Sequence, residues 1–188
     1  LYAFAHGDDI SPVAKAGSER IIKSVGNSVT APRDIQNSEQ AKIIFFSLSE
    51  SVAERLRGYA LKGGKVHLSL RSNDLLRIER QIKLPQPTNL SGEIYSAAMT
   101  LLAKNYNWER PLRGAGIRVS ELTPENAPYQ LNMLGEHIKR ERSEKLERCI
   151  QQLRGRFGYW AVARGSVLTD KSLSRAELSD CSLPQAGL

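Results

Sequence analysis

Between Lys23 and Leu122 the apolar residues switch repeatedly between a spacing of two and a spacing of three to four. A period of two belongs to a half-buried strand and a period near 3.6 to a helix face. Lys23 to Ala31 reads as a strand, with Val25 and Val29 on one face and Pro32 ending it. Asn37 is the expected N-cap of a helix, with Gln40 completing a capping box. Ala41, Ile44, Phe45, Leu48, Val52, Leu56 and Tyr59 then form one apolar stripe, and Gly63-Gly64 is expected to stop the helix. Lys65 to Arg71 alternates strictly, with Val66, Leu68 and Leu70 on one side. Ser72-Asn73-Asp74 supplies a turn, and Arg77 to Leu84 alternates again, with Arg80 interrupting the inward set of Ile78, Ile82 and Leu84. Pro85 and Pro87 are expected to break the sheet. Ser91 caps a second helix with Ile94, Ala97, Ala98, Leu101 and Leu102 inside, and Leu112 to Leu122 returns as a strand with Ala115, Ile117 and Val119 inward.

The resulting order, β-α-β-β-α-β, predicts an α+β domain. Two helices pack on one face of a four-stranded, mainly antiparallel sheet and bury a single core. The other face stays open, and parity places Arg71, Arg77, Lys83 and Arg118 on it. Beyond Leu122, Thr123 to Pro128 is irregular and Tyr129 to Leu134 is a short apolar-polar patch. Glu136 to Phe157 reads as a charged amphipathic helix whose apolar set is Ile138, Leu146, Cys149, Ile150, Leu153 and Phe157. That helix is expected to dock weakly or on another molecule, and the last twenty residues to fray. Leu1 to Ala5 reads as the end of a helix, with Ala14 to Ser18 as a linker. The chain starts without Met and is expected to begin inside a longer protein.

Charge narrows the function. Of the 188 residues, 40% are apolar and 25% charged, which suits a globular fold. The net charge of +7 is uneven: residues 20–122 carry 16 basic and 9 acidic groups, whereas 1–19 carry one and three. A basic surplus confined to one domain suggests a polyanionic partner. No stretch approaches the roughly 20 apolar residues of a membrane span, so no membrane partner is expected. The two cysteines, Cys149 and Cys181, make neither a disulfide scaffold nor a cysteine zinc site, and the three histidines lack ligand spacing. Clustered carboxylates, as a two-metal phosphoryl-transfer site needs, are missing: Asp34, Asp74, Glu79 and Glu93 are scattered. No catalytic residue and no metal ligand is therefore assigned.

KSVGNSVTAPRD at Lys23 to Asp34, LKGGKVHLSLRSND at Leu61 to Asp74, LPQPTN at Leu84 to Asn89 and RGAGIRVSEL at Arg113 to Leu122 are four spaced motifs. In order and together they resemble the little-finger domain of Y-family lesion-bypass DNA polymerases. LYAFAHGDDISPV at the start resembles the end of the thumb domain. The resemblance implies a DNA-binding, clamp-tethered part of a translesion polymerase that works in DNA repair and SOS damage tolerance. It divides the chain into the end of the thumb and a linker (1–19), the little finger (20–122), a clamp-binding segment (123–135) and a helical tail (136–188). It implies duplex primer–template DNA as partner, held through phosphates. Carried over residue by residue, the DNA-facing positions are Lys23, Ser24, Gly26, Asn27, Arg80, Arg113 and Arg118, to which parity adds Arg71, Arg77 and Lys83. Gly114 departs from relatives that have a second arginine after Arg113. Gln130-Leu131-Asn132-Met133-Leu134 resembles the pentapeptide that binds the bacterial sliding clamp. The tail, with RGSVLTD, is similar to the UmuC-like branch of the family. No cofactor is expected in this chain; magnesium would serve the palm of the parent polymerase, a bacterial, cytoplasmic, nucleoid-associated enzyme.

Two other classes fit the fold less well. A stand-alone RNA-binding domain of ferredoxin-like build would carry aromatics on its central strands for stacking, and none falls there. A pure protein-interaction domain would not need a basic surplus on the sheet.

Overall fold

β1 (Ser24–Ile35), β2 (Leu61–Ser72), β3 (Arg77–Thr88) and β4 (Leu112–Pro124) form one antiparallel sheet in the order β1-β4-β2-β3. The structure, a computed structural model, describes residues 2–8, 22–128 and 136–175. One face is covered by α2 (Ser38–Gly58) and α3 (Ser91–Asn105), as the α+β reading expected. The core between them joins Val25 and Val29 of β1, Val66, Leu68 and Leu70 of β2, and Ala115, Ile117 and Val119 of β4 to Phe45, Leu48, Val52 and Leu56 of α2 and Ile94, Ala98 and Leu102 of α3. Burying each large aliphatic side chain contributes about 1.5–3 kcal/mol, so the two stripes and three alternating strands are what hold the sheet flat against its helices.

The capping box is offset by one residue. Asn37 Oδ1 accepts from the Gln40 N–H at 3.0 Å, while Gln40 Oε1 accepts from the Gln36 N–H at 2.9 Å. Gly63 and Gly64 do not end α2; they lie inside β2. A Cβ on Gly63 would come within 2.1 Å of Val119 Cγ1 on the neighbouring strand, so the glycine leaves room for that side chain. Pro32, Pro85 and Pro87 do not end their strands either. β1 and β3 are the two edge strands, where a proline sacrifices no interior ladder bond.

The tail is part of the domain. α4 (Glu136–Phe157) docks on the sheet domain through its polar side, followed by a 3-10 turn (Tyr159–Ala161), α5 (Gly165–Leu168) and α6 (Lys171–Arg175). Leu173 of α6 is buried in the common core, within the stretch expected to fray. The Glu147 carboxylate accepts the N–H of Ser91 at 2.9 Å and its hydroxyl at 2.7 Å, and pairs with Arg57; both charged side chains are about nine-tenths buried. Ser91 opens α3 but makes no cap bond with its own side chain; the acceptor for that helix end comes from α4. A carboxylate at this position also meets the positive end of the helix dipole. Farther along, Arg154 donates to Glu50 Oε2 at 3.0 Å and to the carbonyl of Val162 at 3.0 Å, and lies over the Tyr159 ring. Lys62–Glu144 at 3.0 Å and Arg148–Glu125 at 2.7 Å add to the seam. The sequence reading expects a helix docked weakly or on another molecule; matched buried charges dock it on this chain's own domain instead.

Candidate nucleic-acid interface

The strand registers place sixteen side chains or glycines on the open face in four cross-strand rows, β1 to β3. They run Ser24, Ser120, Lys65, Lys83; Gly26, Arg118, His67, Gln81; Ser28, Gly116, Ser69, Glu79; and Thr30, Gly114, Arg71, Arg77. No Phe, Tyr or Trp is among them. The floor is serine, threonine and glycine; Lys65 and Lys83 stand at one end, Arg71 and Arg77 at the other, Arg118 beside His67 between them, and Gln81 and Glu79 on the β3 edge. Lys65 lies directly across from Lys83, Arg71 from Arg77, and Arg118 from His67. Like charges opposite one another on a sheet destabilise it; Glu121, 2.7 Å from Lys65, offsets this for Lys65–Lys83, while neither Arg71 nor Arg77 makes an ion pair among the described residues.

Glycines shape the face. A Cβ on Gly26 would sit 2.9 Å from the Arg118 Cβ, so Gly26 leaves room for that arginine. Arg71 reaches across Gly114 to donate to Thr30 Oγ1 at 2.8 Å, two strands away. Its guanidinium lies where a side chain at 114 would have gone, 3.4 Å from the position of a Cβ. The charge that the sequence lacks at Gly114 is thus supplied from β2.

His67 occupies the middle of the face, its Nε2 2.7 Å from Ser120 Oγ. Partial burial and the neighbouring Arg118 and Lys65 hold its imidazole below the usual range, against the weaker opposite pull of Glu79 and Glu121. Lys65 is also paired with Glu121 at 2.7 Å, which leaves that cation shared.

Of the expected residues, the open face brings together Ser24, Gly26, Arg71, Arg77, Lys83 and Arg118. Lys23 is exposed just before β1. Asn27 is on the opposite face: it shares parity with Val25 and Val29, and its Nδ2 donates to Ser51 Oγ of α2 at 3.0 Å. Arg80 lies opposite Leu68 on the helix side and donates to Asn105 Oδ1 at 3.2 Å. Arg113 sits at a break in register on both sides of β4, 3.6 Å from Asp34 Oδ1. Lys65 and His67 were missed, although the alternation from Lys65 to Arg71 already put both on the open side. Gln130, Leu131, Asn132, Met133 and Leu134 lie outside the described residues. Among the described residues no group of three His, Cys, Asp or Glu side chains could hold a metal ion, and no helix is long and apolar enough to cross a membrane.

An α+β module with one helix-covered face and one open, basic, aromatic-free face is the class these features define. Residues 22–133 match the impB/mucB/samB family C-terminal domain, and the chain belongs to that family as the little finger of a Y-family polymerase. It is 43% identical over 93% of its length to a protein of Acetivibrio thermocellus named DNA polymerase IV, and 34% identical over 89% to one of that name from Clostridium kluyveri. The chain covers 44% and 43% of those two relatives, so it spans less than half their length. Both alignments are long enough to extend across α4, so polymerase IV proteins also carry sequence beyond the clamp-like segment, as the UmuC-like branch that the tail resembles does. Among solved structures, one described as "Complex of beta-clamp processivity factor and little finger domain of PolIV" matches 59% of this chain and 98% of its own, at 19% identity and TM-score 0.46. Another, "Crystal Structure of DinB from Sulfolobus solfataricus", matches 52% and 28%, at 13% identity and TM-score 0.46.

Proposed function

We propose that this chain grips primer–template DNA for a DNA-directed DNA polymerase that copies damaged templates, with the open sheet face laid on the phosphate backbones. The observation that carries this reading is the set of like-charged pairs Lys65–Lys83 and Arg71–Arg77, together with Arg118 beside His67, on a floor of serine and glycine. A like-charged pair without an acid between its members, such as Arg71–Arg77, is unfavourable in the free sheet and becomes favourable when a phosphate lies between them. A floor without large side chains lets a backbone come close, and hydroxyls and N–H groups add hydrogen bonds. Phosphate contacts position DNA without reading its sequence, which suits an enzyme that must accept altered bases.

The chemistry of nucleotide addition, with its magnesium, belongs to other parts of the parent polymerase. Gln130 to Leu134, by its likeness to the clamp-binding pentapeptide, is proposed to tether that polymerase to the sliding clamp. The working place of such an enzyme is the bacterial cytoplasm, at the nucleoid.

The test is titration of a short primer–template duplex at several salt concentrations. Neutralising about 4–5 phosphates gives a slope of log K against log salt near −4. Affinity should be indifferent to sequence. A flat salt dependence, or tight binding to one sequence alone, would remove the reading.

A further inference from the structure

α4 is docked the wrong way round for an ordinary surface helix. A surface helix normally turns its apolar stripe inward and its charges to water. Here Arg140, Glu144, Glu147, Gln151 and Arg154 face the sheet domain through ion pairs and hydrogen bonds. The apolar stripe is left outside: Leu146 is 56% exposed, Leu153 36% and Phe157 65%, with Cys149 exposed between them. Leu146, Leu153 and Phe157 are separated by seven and four residues, so they stand on one side of the helix. Buried charge pairs are an expensive way to dock a helix, because each ion must leave water. Using them on the inner side keeps the apolar side available.

Charge tells what can cover it. Lys139, Arg142, Lys145 and Arg156 are exposed and make no ion pair among the described residues, against the exposed acid Glu141. Arg156 lies 5.3 Å over the Phe157 ring, at the edge of the stripe. A second copy of this chain would bring two basic faces together, which like-charge repulsion disfavours. A nucleic acid would meet the cations but leave the leucines and the phenylalanine uncovered. An acidic amphipathic helix satisfies both: its apolar residues cover Leu146, Leu153 and Phe157, and its carboxylates meet the flanking cations. We propose that the outer face of α4 is a docking surface for an acidic amphipathic helix of a partner protein. The surface is separate from the open sheet face, so the proposal stands whether or not that face grips DNA.

The probe is a synthetic helix with leucine at i, i+3, i+4 and i+7 and glutamate elsewhere, measured by fluorescence anisotropy against the whole chain. It should bind, and weaken as salt rises. Leu153→Glu with Phe157→Glu should lower its affinity at least about tenfold, with the circular dichroism and duplex-DNA affinity of the chain unchanged. The same peptide with lysine for glutamate should bind at least about tenfold more weakly. Three results would overturn the proposal. One is equal binding of the acidic and basic peptides, or binding indifferent to the double substitution. Another is self-association of the chain that the double substitution abolishes, which gives the surface to a second copy. The third is a Cys149 thiol that is unreactive toward a polar reagent in the free Cys181→Ser chain, which means the chain covers its own stripe.

Discussion

Replacing Glu147 with alanine removes one carboxylate that three donors share: the Arg57 guanidinium, the Ser91 N–H and the Ser91 hydroxyl. Breaking one partner of a buried ion pair costs about 3–5 kcal/mol, because the other charge stays buried. Arg57 keeps Gln151 Oε1 at 2.8 Å and the carbonyl of Asn89 at 2.9 Å, which moves the figure to the low end. Loss of the acceptor at the start of α3 adds about 1 kcal/mol. The expected total is about 3–4 kcal/mol. For a chain of this size it should lower Tm by roughly 6–16 °C, at about 2–4 °C per kcal/mol. Thermal unfolding followed by circular dichroism, with urea titration for the free energy, measures it. The double replacement Arg57→Met with Glu147→Leu should recover most of the loss, since a packed apolar pair avoids the desolvation cost. A loss under about 1 kcal/mol for Glu147→Ala would refute the claim that α4 is held by this pair, because exposed pairs contribute only that much.

Other outcomes follow from the same geometry. Gly63→Ala should destabilise the chain by about 1–3 kcal/mol in urea titration, because a Cβ there meets Val119 at 2.1 Å in a central strand. Duplex affinity should rise as pH falls toward and below the ordinary histidine range. His67 is held neutral in the free domain by burial, Arg118 and Lys65, and a phosphate beside it favours the charged form, so binding takes up a proton. His67→Gln should flatten that profile, and stability should run the other way, falling as pH drops, because the folded chain holds this proton less tightly than the unfolded one. Joint replacement of Leu131, Met133 and Leu134 by alanine should abolish binding to the bacterial sliding clamp in a pull-down or plasmon-resonance assay. DNA binding should be unchanged; melting of the domain instead would assign the segment to core cover.

The elements that were legible in the sequence are those whose pattern has a single physical cause. The alternation from Lys65 to Arg71 can serve only one half-buried strand, and the stripe from Ala41 to Leu56 only one helix face; both stand where the spacing put them. Gly63-Gly64 misled because the pair also signals a helix stop, whereas its cause is crowding against a strand distant in sequence. The prolines misled because strand order, which a local reading does not contain, decides whether a proline costs a ladder bond. On the candidate interface, Arg71, Arg77, Lys83 and Arg118 were placed by parity. Asn27 and Arg80 were carried over by family likeness, against the parity of Val25 and Val29 and of Ile78 and Ile82, and both point toward the helices. The orientation of α4 was not legible, since its apolar residues are regularly spaced and only the long-range partners Arg57, Lys62 and Glu50 reveal which side is inward.

The central claim, that DNA lies on the open face, is tested most directly by comparing two single charge removals in the salt titration of primer–template duplex. Arg118→Gln takes a cation from the middle of the open face, and Arg80→Gln takes one from the helix-covered side. The account predicts that Arg118→Gln makes the salt slope shallower by about 1 and weakens binding to every duplex sequence alike. It predicts that Arg80→Gln leaves the slope unchanged. An unchanged slope for Arg118→Gln, with the loss appearing at Arg80 instead, would contradict it and put the DNA on the other side of the sheet.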